Sequence, residues 1–147
     1  MNERAASLGM LDSRFADASG LDAGNRSTAE DLVRLIHAAS QYPLIREITS
    51  TGEFTAHPYE TRGSLQYRNT NPLVRDSRWT VELSKTGYIH EAGRCLVMQA
   101  VVAGRRLYIV LLNGQGKLTP VGDSNRLRDW LRTSGDRRTA SVRTAGG

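Results

Sequence analysis

Two apolar runs separated by a short polar turn constrain the fold of this chain more than any other feature. Residues 95–103 and 107–112 are almost continuously apolar, and Gly104-Arg105 lies between them. A tight turn containing glycine between two apolar runs is typical of a β-hairpin. Because the runs hardly alternate with polar residues, both faces of these strands are expected to be covered. The sequence therefore predicts a hairpin near the centre of a sheet.

Other segments complete a mixed architecture. Residues 79–83 alternate between polar and apolar side chains and predict a strand that runs into residues 84–87. Two shorter strands are predicted over residues 53–60 and 64–68. The order of helices, short strands, three main strands and a last helix indicates an α+β fold with an antiparallel sheet flanked by helices.

Two helices are predicted from their first turns. Residues 27–30, Ser-Thr-Ala-Glu, match a capping box with Ser27 as the cap. The helix that follows carries one apolar face, formed by Leu32, Leu35, Ile36 and Ala39. Asp123 or Ser124 is expected to cap a last helix, whose inner face would hold Leu127, Trp130 and Leu131. Residues 134–147 contain one valine and one aspartate among Ser, Thr, Arg, Ala and Gly, so they predict a disordered tail.

Composition argues against several function classes. The net charge is +5, but the arginines are dispersed, so we expect no nucleic-acid partner. Cys95 is the single cysteine and lies in an apolar run, which favours a small buried residue over a disulfide or a zinc ligand. The three histidines have no metal-ligand spacing, so no metal site and no cofactor are expected. No stretch is long and apolar enough for a transmembrane helix.

Lys85-Thr86-Gly87, followed by Tyr88, is the segment that points to chemistry. Lys-Thr-Gly at the end of a strand resembles a motif of penicillin-recognising enzymes, and this resemblance implies that the lysine supplies positive charge for a substrate carboxylate and that the threonine hydroxyl offers it a hydrogen bond. The glycine leaves room for a substrate backbone to lie against the strand. The Tyr88 backbone N–H is positioned to contribute to an oxyanion hole. These four residues are the predicted substrate-binding site, and no residue is identifiable as a nucleophile or a base.

Lys-Thr-Gly on a strand is one of three motifs in penicillin-recognising enzymes, beside Ser-x-x-Lys and Ser-x-Asn. The wider sequence resembles peptidase family S11, the low-molecular-mass penicillin-binding proteins of the D-alanyl-D-alanine carboxypeptidase type. The stretches that carry the resemblance are residues 1–10, 13–15, 19–21, 27–32, 69–74, 84–88, 92–97 and 122–126. Two further stretches, 41–46 and 116–119, are more similar to the endopeptidase branch, the penicillin-binding protein 7 type.

The resemblance implies that residues 1–133 are the C-terminal portion of an S11 catalytic domain, within a penicillin-binding or β-lactamase-like transpeptidase fold. It also implies a periplasmic serine peptidase that acts on peptidoglycan peptides through an acyl-enzyme and is acylated by β-lactams. The chain departs from the family because Ser-x-x-Lys and Ser-x-Asn are both absent. Tyr67-Arg68-Asn69 imitates the second motif, but it lies at the wrong place in the family's order.

Two functions remain open at this point. In the first, the chain is a catalytically incomplete fragment of a peptidase, inactive alone because an acylating serine needs its activating base. Its polar first residues contain no secretory signal, so this polypeptide as written is not expected to export itself. In the second, it is a non-catalytic module that binds cell-wall peptides or a partner protein. An incomplete domain would expose apolar faces and tend to aggregate.

Overall fold

The computed structural model describes residues 1–58 and 63–144, with side chains up to residue 134. A three-stranded sheet, a separate two-stranded hairpin and four helices make up the described part of the chain. The helices are α1 (Asn2–Ser7), α2 (Ala29–Ala39), α3 (Pro43–Ser50) and α4 (Thr119–Thr144), with a 3-10 turn over Pro72–Arg75. The strands are β1 (Glu53–Ala56), β2 (Leu65–Arg68), β3 (Thr80–Ile89), β4 (Gly93–Val102) and β5 (Arg105–Gly114).

The predicted hairpin is confirmed as β4 and β5, and β3 joins it on the other side of β4. All three strands are antiparallel, in the order β3-β4-β5. The turn between β4 and β5 consists of Ala103 and Gly104, whose φ angles are 49° and 71°. Two successive positive φ angles match the right-handed twist of a two-residue hairpin. The turn therefore lies one residue earlier than predicted, and Arg105 is the first residue of β5.

Strand β4 is covered on both faces, as the continuous apolar run predicts. One face packs against α4 through a core that also contains Leu73 and Trp79. On this face Met98 and Ala100 are fully buried. Helix α2 packs on the other face, against β4 and β5. Burying each large apolar side chain of this core stabilises the fold by roughly 1.5–3 kcal/mol.

The last helix differs from the prediction at both ends. It begins at Thr119, and Ser124 is buried inside it, donating its hydroxyl to the Pro120 carbonyl oxygen over 2.7 Å instead of capping the helix. Trp130 does not face the core, since it is 62% exposed. Leu127 and Leu131, four residues apart, form the inner stripe, and Trp130 lies about 100° from Leu131 around the helix axis.

The same helix continues to Thr144, so the expectation of a disordered tail is wrong for residues 134–144, and residues 145–147 lie outside the described part. Extending a formed helix costs less than nucleating one, and the Arg and Ala residues here are good helix formers. The expectation of disorder rested on the low apolar content, which carries no information on the helix propensity of these residues.

Two smaller corrections concern residues before the sheet. The N-cap of α2 is Thr28, whose hydroxyl accepts a hydrogen bond from the Asp31 N–H over 3.2 Å; the cap is not Ser27. The first short strand ends at Ala56, earlier than predicted, and residues 59 and 60 of that prediction lie outside the described part. Among the described residues, no helix combines the length and the apolar character that crossing a bilayer requires.

Candidate substrate-binding site

Lys85-Thr86-Gly87-Tyr88 lies within β3, which is an edge strand of the sheet. The predicted position at the strand end is wrong, because β3 continues to Ile89, which pairs with Gly93. In the described part of the chain β3 pairs only with β4, so no other strand of the sheet pairs with its outer edge. An unpaired edge carries backbone N–H and C=O groups that an extended peptide can bind.

Alternation along β3 sends these side chains to opposite faces of the sheet. Thr86 and Tyr88 share the face of Leu96, which packs on the α4 side, because Thr86 lies opposite Leu96 in the register. Lys85 and Gly87 share the opposite face, on which α2 packs. The four predicted residues therefore belong to two surfaces that meet at the strand edge.

A cleft lies on each side of this strand, and residues 85–88 line both. The α2-side cleft has a volume of about 850 Å³ and is also lined by Asn25, Arg26, Ser27, Leu32 and Cys95. The α4-side cleft has a volume of about 930 Å³ and is also lined by Thr70, Asn71, Arg75, Arg94 and Lys117. Both volumes are large enough for a small peptide.

Lys85 is exposed, and its Nζ donates a hydrogen bond to the backbone oxygen of Thr86. An ammonium group has three N–H donors, so two remain for a ligand. This contact holds the charge at the backbone of the next residue on its own strand. The cation and the Thr86 hydroxyl belong to neighbouring residues of β3, and their joint binding of a carboxylate stays a prediction.

A hydroxyl that the sequence prediction missed lies beside Thr86. The Oγ1 atoms of Thr70 and Thr86 are 2.7 Å apart, so one hydroxyl donates to the other. Only one of the two O–H groups is used in this bond, and the second remains available to a carboxylate. Thr70 therefore extends the predicted site from β3 to the loop that precedes it.

The amide side chains of Asn69, which is half-buried, and Asn71, which is buried, hold that loop in place. Asn71 is 1% exposed, and its Nδ2 donates to the Ser84 hydroxyl over 2.8 Å. Its Oδ1 accepts from the backbone N–H of Leu73 over 3.1 Å. Asn69 donates to the backbone oxygens of Thr49 and Thr51, each over 3.0 Å. The local sequence of residues 69–72 predicts only a turn or loop. Asparagines on both sides of Thr70 were the signal of a more ordered loop.

Gly87 faces open space. A Cβ atom built at this position would have no heavy atom of the chain within 4 Å, neighbouring residues aside, and the φ angle lies outside the left-handed region. The fold itself therefore imposes no steric need for glycine here. The reason that the motif predicts for glycine, the close approach of another backbone, stays a prediction.

The loop over residues 11–27 closes the clefts at one end and is anchored by a buried carboxylate. Asp31 is 1% exposed and accepts hydrogen bonds from the Asp12 N–H over 2.9 Å and the Ser13 hydroxyl over 2.7 Å. Farther along the loop, hydrogen bonds from the side chains of Ser19 and Asn25 lower the pKa of Asp17 to about 2. Ser19 lines the α4-side cleft and Asn25 the α2-side cleft, so this network shapes both.

Cys95 and His37 are two further residues whose chemistry could support a site. Cys95 is half-buried and lines both clefts opposite Gly87, so the prediction of a buried cysteine is wrong. His37, to which no role was assigned, lies 2.8 Å from the Tyr108 hydroxyl through Nδ1 and joins α2 to β5. No group of three His, Cys, Asp or Glu side chains that could hold a metal ion occurs among the residues that the structure describes.

Comparison with known proteins agrees with this geometry. The model of the D-alanyl-D-alanine carboxypeptidase family, peptidase S11, matches residues 1–116. D-alanyl-D-alanine endopeptidases of Escherichia coli and Pseudomonas aeruginosa are 42% and 43% identical to this chain, each over 90% of it. The chain spans 43% of the length of each of these relatives.

Solved structures show the same fold. Penicillin-binding protein D2 from Listeria monocytogenes, in a cefotaxime-bound form, superposes with a TM-score of 0.71 at 30% identity. That match covers 87% of this chain and 51% of the Listeria chain. A D-alanyl-D-alanine carboxypeptidase from Mycobacterium tuberculosis superposes with a TM-score of 0.69 at 28% identity, over 83% of this chain and 50% of its own. The chain therefore belongs to peptidase family S11, the D-alanyl-D-alanine carboxypeptidases and endopeptidases among the penicillin-binding proteins.

Proposed function

We propose that this chain forms the substrate-binding sheet of a serine peptidase that cleaves D-alanine-containing peptide bonds in peptidoglycan through an acyl-enzyme. The observation that carries the proposal is the open edge of β3. There Lys85 and the Thr70–Thr86 hydroxyl pair lie beside the unfilled space at Gly87. A cation, a free hydroxyl and an accessible strand edge together suit a peptide that ends in a carboxylate.

In this proposal the substrate lies extended along β3. Gly87 lets its backbone approach the strand, while Lys85 and the hydroxyl pair bind the terminal carboxylate. The backbone N–H of Tyr88 stabilises the negative charge that develops on the oxygen of the scissile carbonyl. These residues supply binding and charge stabilisation.

The covalent step requires a serine and a lysine that the 147 residues do not contain as Ser-x-x-Lys. In the proposed reaction a serine hydroxyl attacks the scissile carbonyl carbon and its proton passes to the base. The C–N bond then breaks, the base returns the proton to the nitrogen, and the leaving residue departs as an amine. Water then hydrolyses the acyl ester and regenerates the hydroxyl. The proposal therefore requires a segment that carries Ser-x-x-Lys and Ser-x-Asn, and its substrate implies that the complete protein acts in the periplasm.

Labelling with a fluorescent penicillin tests this proposal. The 147-residue chain alone should form no adduct that survives denaturing electrophoresis. A hybrid that joins it to a segment bearing both missing motifs, taken from the Escherichia coli endopeptidase, should be labelled. Lys85→Ala in the hybrid should slow labelling about 100-fold or more, because it removes a charge that acts in the transition state.

The control for this variant is Arg105→Ala, which removes an exposed cation at the turn between β4 and β5. It should label at the rate of the unmodified hybrid. Equal labelling of the Lys85→Ala hybrid would contradict the proposed role of β3. An adduct on the 147-residue chain alone would show that one of its own serines is the nucleophile.

The second candidate, a binding module without catalysis, predicts the same cleft in a self-sufficient domain. Several large apolar side chains are exposed, among them Leu118 at 68% and Trp130 at 62%. Such exposure favours a chain that needs further protein to cover it. A monomeric chain with a sharp two-state thermal transition, together with an unlabelled hybrid, would favour the binding module instead.

A further inference from the structure

The separate hairpin of β1 and β2 carries an apolar face that is open to solvent. Phe54 lies directly opposite Tyr67 in the strand register, so both rings project from the same face of the hairpin. Phe54 is 61% exposed and Tyr67 is 55% exposed. Ile48 of α3 is exposed as well and lines the same cleft, which has a volume of about 360 Å³ and is called the hairpin cleft below. A contiguous exposed apolar patch marks a binding surface, whereas single exposed side chains do not.

Hydrogen bonds at the base of the hairpin fix the position of the two rings. The backbone N–H of Asn69 donates to the Gly52 oxygen over 2.8 Å. The side chain of Asn69 donates to the backbone oxygens of Thr49 and Thr51. A two-stranded hairpin is only marginally stable alone, and these bonds tie it to the end of α3. A ligand that stacks on rings already held in place costs less ordering than one that binds a mobile segment.

The charged side chains beside the rings favour an uncharged ligand. Glu53 and Arg68 also line the hairpin cleft, and they form an ion pair with an N–O distance of 3.2 Å, so their charges compensate each other. Both side chains are largely exposed, and their remaining donors and acceptors are available to hydroxyl and amide groups. The edge of β3 differs, because Lys85 forms an ion pair with none of the residues that the structure describes. The two surfaces therefore suit different parts of a ligand, one charged and one neutral.

A sugar ring has the chemistry that the hairpin cleft suits. One face of a pyranose ring presents C–H groups that pack on an aromatic ring, whereas its rim carries hydroxyl groups that bind polar side chains. An N-acetylated sugar adds an amide with one donor and one acceptor. A protein partner suits the cleft less well, because a stable interface buries about 800 Å² on each side. Two aromatic side chains together bury at most about 500 Å².

The hairpin cleft is continuous with the α4-side cleft, because Asn69 lines both. We propose that Phe54 and Tyr67 bind the N-acetylated sugar strand of peptidoglycan, while a peptide attached to that strand reaches β3. This inference rests on the proposed function, because the peptide expected at β3 identifies the polymer to which the sugar belongs. The hairpin holds the polymer and takes no part in bond cleavage.

Titration of the ¹⁵N-labelled 147-residue chain with tetra-N-acetylchitotetraose tests the inference by NMR. The backbone signals of residues 52–54 and 66–69 should shift, and maltotetraose, which lacks the acetamido groups, should shift them less. Phe54→Ala and Tyr67→Ala should each weaken binding about two- to tenfold, the effect of one aromatic stacking contact. Tyr67→Phe should keep most of the affinity. The matched control is Trp130→Ala, which removes an equally exposed ring that lines a different cleft, near the β4–β5 turn, and should leave binding unchanged.

Three results would overturn the inference. They are no binding of the oligosaccharide, binding that neither Phe54→Ala nor Tyr67→Ala weakens, and binding that Trp130→Ala weakens as much as they do. Tyr67→Leu, which keeps the apolar packing but lacks a ring, replaces Tyr67→Ala if that variant does not fold. Self-association of the chain in sedimentation experiments, abolished by Tyr67→Ala, would assign the face to a second copy and would also overturn the inference.

Penicillin labelling of the hybrid separates this inference from the proposed function, because penicillin carries no sugar. Tyr67→Ala in the hybrid should leave the labelling rate unchanged. A hybrid that is labelled but does not bind the oligosaccharide would overturn the role of the hairpin alone. If the oligosaccharide binds through Phe54 and Tyr67 but the hybrid is not labelled, the proposed function fails and sugar binding at the hairpin stands.

Discussion

Strands β3 and β4 are neighbours of equal length, but their side chains differ in how far they are buried. Both have ten residues and pair along most of that length. In β4 the side chains from Leu96 to Val102 are buried or half-buried, because α2 and α4 cover both faces. In β3 three of the four residues from Lys85 to Tyr88 are exposed. Packing therefore explains the sequence of β4, whereas residues 85–88 require an explanation outside the core.

The largest expected effect is a loss of stability, and it tests whether packing determines the sequence of β4. Met98 is fully buried in the core of β4, so Met98→Ala should lower the free energy of unfolding by about 2–5 kcal/mol through lost burial and a cavity. Lys85→Ala on the adjacent strand should change it by no more than about 0.5 kcal/mol. Urea denaturation of the 147-residue chain measures both. Similar losses for the two variants would remove the distinction between the strands.

The loop that carries Thr70 should show an intermediate effect. Asn71→Ala removes a buried amide and leaves the Ser84 hydroxyl and the Leu73 N–H without partners, which should cost about 1–3 kcal/mol. It should also free Thr70 from its contact with Thr86. Asn69→Ala is a comparison variant for loop order, since its side chain donates to the backbone of residues 49 and 51 and accepts from the Asn71 N–H but does not contact Ser84. Denaturation gives the stability, and NMR shifts at Thr86 report the contact.

What could be predicted from the sequence also differs between the packed strand β4 and the exposed residues of β3. The β4–β5 hairpin was predictable because a continuous apolar run has few solutions other than a covered strand. The Lys85-Thr86-Gly87 segment could be proposed as a site because its residue types match a known chemistry, and that assignment stays a prediction. Thr70 was missed, since its role depends on a contact across sixteen residues of sequence that no local pattern reports. Trp130 was misplaced because a difference of one position in a helix decides whether a side chain faces the core.

A pH-dependent effect is expected at the junction of β3 with its neighbours. A bidentate hydrogen bond from Arg106 lowers the pKa of Glu82. Burial of the carboxylate raises the pKa in part, and a hydrogen bond from Gln99 lowers it further. Because the folded-state pKa lies below the ordinary glutamate value, the stabilisation is fully present above that value. It is lost as the pH falls through the lowered pKa. The expected loss is smaller than that for Asn71→Ala, because Arg106 is more than half exposed.

Denaturation series at several pH values, on the unmodified chain and on Glu82→Gln, measure this contribution. The difference in unfolding free energy between the two should shrink as the pH falls below the ordinary glutamate pKa. A difference that stays constant with pH would mean that Glu82 contributes through packing alone. Glu53→Gln is a suitable control, because Glu53 forms an ion pair with Arg68 in which both side chains are largely exposed.

The smallest expected change in stability gives the sharpest test of what residues 85–88 are for. At Gly87 a Cβ atom meets open space and the backbone needs no left-handed conformation, so Gly87→Ala should change the free energy of unfolding by no more than about 0.5 kcal/mol. The same methyl group projects into the space where a substrate backbone would lie. It should therefore weaken peptide binding to the 147-residue chain and slow penicillin labelling of the hybrid. The matched control is Gly104→Ala, which also meets open space but has a φ of 71°, so it should destabilise the chain without altering the cleft. If Gly87→Ala unfolds the chain, the glycine serves the fold after all. If it affects neither stability nor binding, no ligand backbone approaches β3, and the edge of this strand is not the substrate site.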